Sequence, residues 1–517
     1  MMKKIAIVSL ILLFSFLSLV NSCVGKQQAL LYSKYQNHSF DSLQINYNAA
    51  TDLAINSFAN ELSMQNASIG FLLIDPSNQD IISDYNSDKA LIPASTMKLF
   101  TTATALEVLG SDTSFSTWIE YSGNFDTEYG VLNGNIFIKG GGDPCLGSKA
   151  YNHRYYQPYF LEAWAKAIKD MGIHVINGDI IADELVFDTD ITPDGWNWID
   201  IPAYYGSAAS GLSIFENTYT LSIQPEAVGK YLVPYQDIKP FIPDFYVENH
   251  LHYSQDGSQY LDLIGSYYSN YRIVKGKIPK NKSEITIEGS IPDPPYLAAW
   301  YLKRELEEAG VKISGKASSM RQLHSENVKL DKKRYPITSI ISPNLSQIVT
   351  RTNLRSNNLY AEHLISHIAH AQTGLGSTSV GSAAIIKYWN SRGLNTDGMF
   401  VGDGSGLSRS NTLTSKQLVH LLYLMRKSKV NGQLYFESLP VSGVSGTLRK
   451  FATSATAKGK IHAKSGSMNR IKSYAGYIEC KSGNELIFAF IVNNYNGNSS
   501  EIRALMAKVL ESVIQNN

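Results

Sequence analysis

The two ends of this 517-residue chain carry matching elements, and that match restricts the fold more than anything between them. Near the C-terminus, "SYAGYIECKSGNELIFAFIVNNY" reads as a β-hairpin turning at Lys481 to Asn484, followed by the helix-spaced "SEIRALMAKVLESVI". Near the N-terminus, Asp52 to Ser63 has the spacing of an amphipathic helix, and "SIGFLLIDPSNQDIISDYN" reads as two strands joined at Pro76-Ser77-Asn78. The simplest assembly joins both ends in one α/β domain and makes the middle an insertion, which agrees with chain ends lying close together. The length allows two or three domains.

From about Asp112 to Lys333 the chain changes to short strands, turns and many aromatics, with helices expected at Tyr159 to Met171 and in "PPYLAAWYLKRELEEAG". The run Gly140 to Gly142 lacks a following Gly-Lys-Ser/Thr and reads as a turn rather than a phosphate cradle. Beyond Tyr335, "SPNLSQIVTRTNLRSNNLYAEHLISHIAHAQ" reads as two helices, and "GSAAIIKYWNSRG" and "LTSKQLVHLLYLMRKS" as one each.

Charge excludes one class of partner. With 46 basic and 45 acidic residues, nothing recommends a nucleic acid. Two lysines followed by an apolar run to Val20 form an export signal pattern, too short for a membrane span. The run ends on Val20-Asn21-Ser22-Cys23, which resembles a bacterial lipobox and implies lipid on Cys23 and a membrane anchor for an exported, periplasmic or cell-envelope protein. Only Cys145 and Cys480 remain, read as two buried thiols.

The chemistry starts at "LIPASTMKLFTTATALEVLG". Ser95 is expected in the first turn of a helix, where free backbone N–H groups favour a developing negative charge. Lys98, three residues on, projects from the same face. In an apolar neighbourhood a lysine's pKa falls, so Lys98 can take the serine proton and leave an activated nucleophile. The plain alternative is a helix cap beside a snorkelling lysine. Two companion motifs favour the sharper reading: Ser356-Asn357-Asn358 between helical segments, and Lys464-Ser465-Gly466 on a strand.

These three motifs in order, with "GGGDPCL", "GWNWID", "VGDGSGLSRSN", "SLPVSGVSGTL" and "AKSGSMNRIKSYAGYI", resemble the class C low-molecular-mass penicillin-binding proteins, the D-alanyl-D-alanine carboxypeptidase/endopeptidase family of serine peptidases, over roughly residues 50 to 500. The resemblance implies an α/β penicillin-binding/β-lactamase-like transpeptidase domain, an antiparallel sheet with helices on both faces, carrying a large, mostly β insertion. Residues 1–23 would be the signal, 24–47 a tether, and 48–111 with 335–517 the catalytic domain. The insertion, 112–334, would hold two subdomains, about 112–225 with 286–334, and 226–285.

By the same resemblance, Ser95 is the nucleophile and Lys98 its base. Ser356 relays a proton to the leaving nitrogen, Asn358 holds the substrate amide, and Lys464 acts electrostatically. Ser465, Gly466 and Ser467 form the substrate-binding strand, with the backbone N–H groups of Ser95 and Ser467 as oxyanion hole. The implied partners are peptidoglycan stem peptides ending in D-Ala-D-Ala or their cross-links, with β-lactams as inhibitors and no cofactor. A β-lactamase, or a non-hydrolytic lipoprotein that binds peptidoglycan or β-lactam, are the alternatives. A zinc site at His363 and His367, i and i+4 on a helix, is the metal rival, although Glu362 precedes the first histidine and spoils H-E-x-x-H. No G-x-S-x-G elbow occurs.

Overall fold

The strand Glu485–Asn493 is buried along almost its whole length, on both faces, and the fold is built around it. The computed structural model describes residues 44–151, 159–224, 237–281 and 284–517; the export signal, Cys23 and most of the tether lie outside the described residues. Glu485–Asn493 pairs antiparallel with Ile471–Glu479 on one side and with Ser68–Ile74 on the other. Ile461–Met468 and Ile81–Tyr85 complete a five-stranded sheet, so the hairpins from the two chain ends do share one sheet.

Alternation along these strands sorts the core into two layers. Leu72, Ile74, Ile487, Ala489 and Ile491 face helices Lys98–Leu109, Asn358–Thr373 and Ser415–Lys427. Ile69, Phe71, Leu73, Phe488, Phe490 and Val492 face helices Ala49–Ala59 and Ser499–Asn516. Cys145 belongs to the first layer and Cys480 to the second; both are free buried thiols.

A third core spans the intervening chain, where four further sheets of three to five strands mix parallel and antiparallel pairs around helices Tyr159–Asp170 and Pro294–Glu308. The strand Tyr335–Ile341 pairs with Ser116–Tyr121 in this region. The return to the main sheet's helices therefore follows Ile341 rather than residue 334, because a strand's sheet is set by its partner and not by its neighbours in sequence.

The intervening region is tied to helix Asn358–Thr373 by polar contacts. His363 Nδ1 and His367 Nε2 both lie 2.8 Å from the Gly142 carbonyl oxygen, and Ser213 Oγ lies 2.9 Å from His363 Nε2. Gly142 has φ +74°, and a Cβ there would come within 2.6 Å of the His367 ring, so glycine is required at this contact.

Phe490 is fully buried, with its ring edge-on to Phe58 at 5.0 Å and to Phe71 at 5.2 Å. Phe490→Ala is expected to cost about 3–5 kcal/mol, read as a lowered urea midpoint; a loss below about 1 kcal/mol would contradict this packing.

Candidate active site

The turn that carries Ser95 is constrained before any catalytic group is considered. Ala94 has φ +48°, a conformation that costs a non-glycine residue about 1–3 kcal/mol, and surrounding contacts hold it there. Asn493 grips Ile92, two residues earlier, with both amide atoms, accepting from Ile92 N at 2.8 Å and donating to Ile92 O at 3.0 Å. Ser473 Oγ and Thr96 Oγ1 donate to Pro93 O at 2.5 and 2.7 Å. Ser95 therefore sits in a 3-10 turn, Ala94–Met97, and the α-helix begins only at Lys98. The expectation that Ser95 lies in the first α-turn is corrected: it lies in the 3-10 turn that leads into the α-helix.

Lys98 is fully buried. Its Nζ donates to Ser95 Oγ at 3.0 Å, to Asn358 Oδ1 at 2.6 Å and to the Ser405 carbonyl at 2.6 Å. Burial lowers its pKa to about 7, against the opposing pull of Asp403 and Glu362. The amine is thus available as a base near neutrality while pointing at the serine it must deprotonate.

Ser356 links helices Leu345–Arg355 and Asn358–Thr373 in a left-handed conformation, φ +56°. Lys464 Nζ donates to Ser356 Oγ and to Ser465 O, both at 2.8 Å. Burial first, and then the charge of Lys98, holds Lys464 well below the usual lysine range. Asn358, whose Oδ1 takes the Lys98 proton donor, gives its Nδ2 to Tyr205 O at 2.7 Å.

Lys464 to Ser467 lie on Ile461–Met468, an edge strand of the main sheet. A Cβ on Gly466 would meet Ser473 Oγ at 2.2 Å, Pro93 O at 2.6 Å and Ser95 N at 3.0 Å. Glycine there lets the strand run against the Ser95 turn. Ser465 Oγ donates to Thr447 Oγ1 at 2.7 Å, and Ser467 is exposed. The structure thus brings together the eight expected residues that fall within the described region, from Ser95 and Lys98 to Ser356, Asn358 and Lys464 to Ser467.

His363 and His367 are turned instead to Gly142, as above, and burial lowers their pKa values to about 4 and about 3. They are neutral rings that fasten two regions together.

Two acids outside the three catalytic motifs hold the site from behind. Glu362 accepts from Gly404 N at 3.0 Å and Ser405 N at 2.8 Å; burial and the charge of Asp403 push its pKa upward. Asp403 accepts from Gly406 N at 2.7 Å, Ser408 N at 2.6 Å, Asn411 Nδ2 at 2.7 Å and Trp196 Nε1 at 2.8 Å. Glu362 lies one helical turn after Asn358, a spacing that could have signalled it.

Gly466→Ala is expected to lower acylation by a β-lactam about 100-fold, by forcing the strand off the Ser95 turn; stopped-flow or gel labelling at unchanged helicity checks it. Because the free amine of Lys98 is the base and predominates above its pKa of about 7, the acylation rate should climb as pH rises to about 7 and then level. A rate flat between about pH 5 and 9 would remove Lys98 from that role.

Comparison with known proteins bears on the family and the fold. The model of the D-Ala-D-Ala carboxypeptidase 3 (S13) family matches residues 52–513. A D-alanyl-D-alanine carboxypeptidase of Actinomadura is 28% identical over 458 residues, covering 86% of this chain and 81% of that protein. The D-alanyl-D-alanine carboxypeptidase DacB of Haemophilus influenzae is 25% identical over 456 residues, covering 86% and 90%. The crystal structure of penicillin binding protein 4 from H. influenzae superposes with a TM-score of 0.75 at 23% identity, over 89% of this chain and 98% of that one. A second structure of that protein, complexed with a β-lactam, gives a TM-score of 0.70 at 22% identity, over the same shares. The fold is that of the penicillin-binding/β-lactamase-like proteins, and the chain belongs to the D-Ala-D-Ala carboxypeptidase family of serine peptidases.

Proposed function

We propose that this enzyme removes the terminal D-Ala from peptidoglycan stem peptides through an acyl-enzyme on Ser95, and that penicillins block it by acylating the same atom. The observation that carries the reading is the 3.0 Å contact from Lys98 to Ser95 Oγ, with Lys464 and Ser356 hydrogen-bonded in the same site.

The stem peptide lies along the free edge of Ile461–Met468 as an added strand, its penultimate D-Ala carbonyl over Ser95. Lys98 takes the hydroxyl proton as Oγ attacks, and the N–H groups of Ser95 and Ser467 receive the oxyanion. Ser356, held by Lys464, gives its hydroxyl proton to the departing D-Ala nitrogen and takes back the proton Lys98 removed, so that Lys98 is again a free amine; the C–N bond breaks, and the acyl group remains on Ser95. Water, deprotonated by Lys98, then hydrolyses the ester and restores Ser95 Oγ–H. Ser465 and Ser467 bind the terminal carboxylate. A cross-link between two stems presents the same bond with a larger leaving group, and endopeptidase action uses the same steps.

The setting of the reaction is part of the proposal. The signal pattern of residues 1–23, with Cys23 lipidated, puts the enzyme on the outer side of a membrane, in the periplasm or cell envelope where peptidoglycan lies.

Intact-mass spectrometry of the mature protein with purified disaccharide-pentapeptide, cross-linked dimer and penicillin tests all of this. Loss of one D-Ala or splitting of the dimer is expected, with a penicillin adduct, and all three should vanish in Ser95→Ala. A stable adduct without either product would favour a non-hydrolytic binding protein; labelling that persists in Ser95→Ala would sink the nucleophile assignment.

A further inference from the structure

Directly across the hairpin from Ser467 stands Lys472 on Ile471–Glu479, so the two side chains leave the same face of the sheet. Lys472 Nζ donates to Ser467 Oγ at 2.7 Å. The lysine is only 8% exposed, whereas Ser467 opens to solvent beside Gly466 and the Ser95 turn. No carboxylate of the described residues forms an ion pair with Lys472, and burial, with the like charge of Arg503, works against its cation.

Two physical consequences follow. A buried cation without a counter-charge is unfavourable, and an apolar side chain of equal length would fill the space better. An ammonium, moreover, can only donate, so Ser467 Oγ must accept, and the single hydroxyl proton of Ser467 is left to point outward. The arrangement offers an oriented O–H backed by positive charge, which is what an incoming anion needs.

We propose that Lys472 is a specificity-determining residue of this active site, acting through Ser467 on the carboxylate at the C-terminal end of the bound acyl donor. The inference rests on Ser95 being the nucleophile and on Ser467 lying beside that carboxylate. Lys472 makes Ser467 a fixed donor and adds positive potential, so donors that carry the carboxylate react in preference to those in which it is masked.

The test compares acylation by benzylpenicillin and by its methyl ester, which present the same β-lactam carbonyl and differ at the carboxylate. In Lys472→Met, the second-order rate constant for the free acid should fall about tenfold, mainly through weaker binding, while that for the ester stays within about twofold. Lys472→Arg should restore most of the preference for the acid, and Ser467→Ala should lose it as Lys472→Met does. Equal falls for acid and ester would show a merely structural lysine, and an unchanged acid rate would show no role; either overturns the proposal. The wild-type enzyme separates this from the underlying reading: if it forms no adduct with either compound, the acyl-enzyme assignment itself fails and the inference with it.

Discussion

The site depends on one buried amine. Lys98 has no access to water, and three acceptors define where its nitrogen sits: a hydroxyl, an amide oxygen and a backbone carbonyl. The carbonyl is the least obvious of these and needs the most support. Ser405 O points at Lys98 because the turn that carries it is fixed by Glu362 on two backbone N–H groups, by Asp403 on two more, and by Thr101 Oγ1 donating to Gly404 O at 2.6 Å. Gly406, at φ +82°, lets that turn pass so close to the nucleophile turn that a Cβ would meet Ala94 O at 2.0 Å. One packed unit thus positions the nucleophile, the base and the carbonyl behind it.

The intervening region takes part in that unit. Trp196 supplies one of the donors to Asp403, and the Tyr205 carbonyl takes the amide N–H of Asn358. With Asn358 Nδ2 engaged, its oxygen is the atom left facing Lys98, so a residue of the intervening region fixes the amide orientation on which the base depends. The two histidines work likewise. Each is neutral, and with its low pKa His363 gives its Nδ1 proton to Gly142 O and accepts from Ser213 at Nε2.

How much of this could be read beforehand follows the range of the interactions. The end hairpins, the helices after Tyr335 and the serine–lysine pair are local patterns, and each appears where its spacing put it. The Ser356–Lys464 contact was legible only through the resemblance of motifs, since 108 residues separate the pair. Non-local pairing hid the rest. Tyr335–Ile341 finds its partner near residue 116, and the left-handed Ala94 is compelled by Asn493 and Gly406 from far along the chain. Glu362 and Asp403 drew no role for another reason: Asp403 lies in one of the resembling stretches and Glu362 one turn after Asn358, but the backbone N–H groups they bind come together only in the fold.

Charge balance explains why these acids belong to the chemistry. Lys98 and Lys464 are both buried, and the charge of Lys98 disfavours the proton of Lys464. Burial alone would drive Lys98 to a weakly basic amine, poor at accepting a proton at neutral pH. Glu362 and Asp403 pull in the other direction, and the result is a pKa of about 7. A base much weaker would not take the serine proton, and one much stronger would already hold one. Glu362 itself shifts upward, first because it is buried and then because the charge of Asp403 lies close by. The protonation state of Lys98 is therefore a property of its burial and of two acids together, brought to it from parts of the chain far from the nucleophile turn.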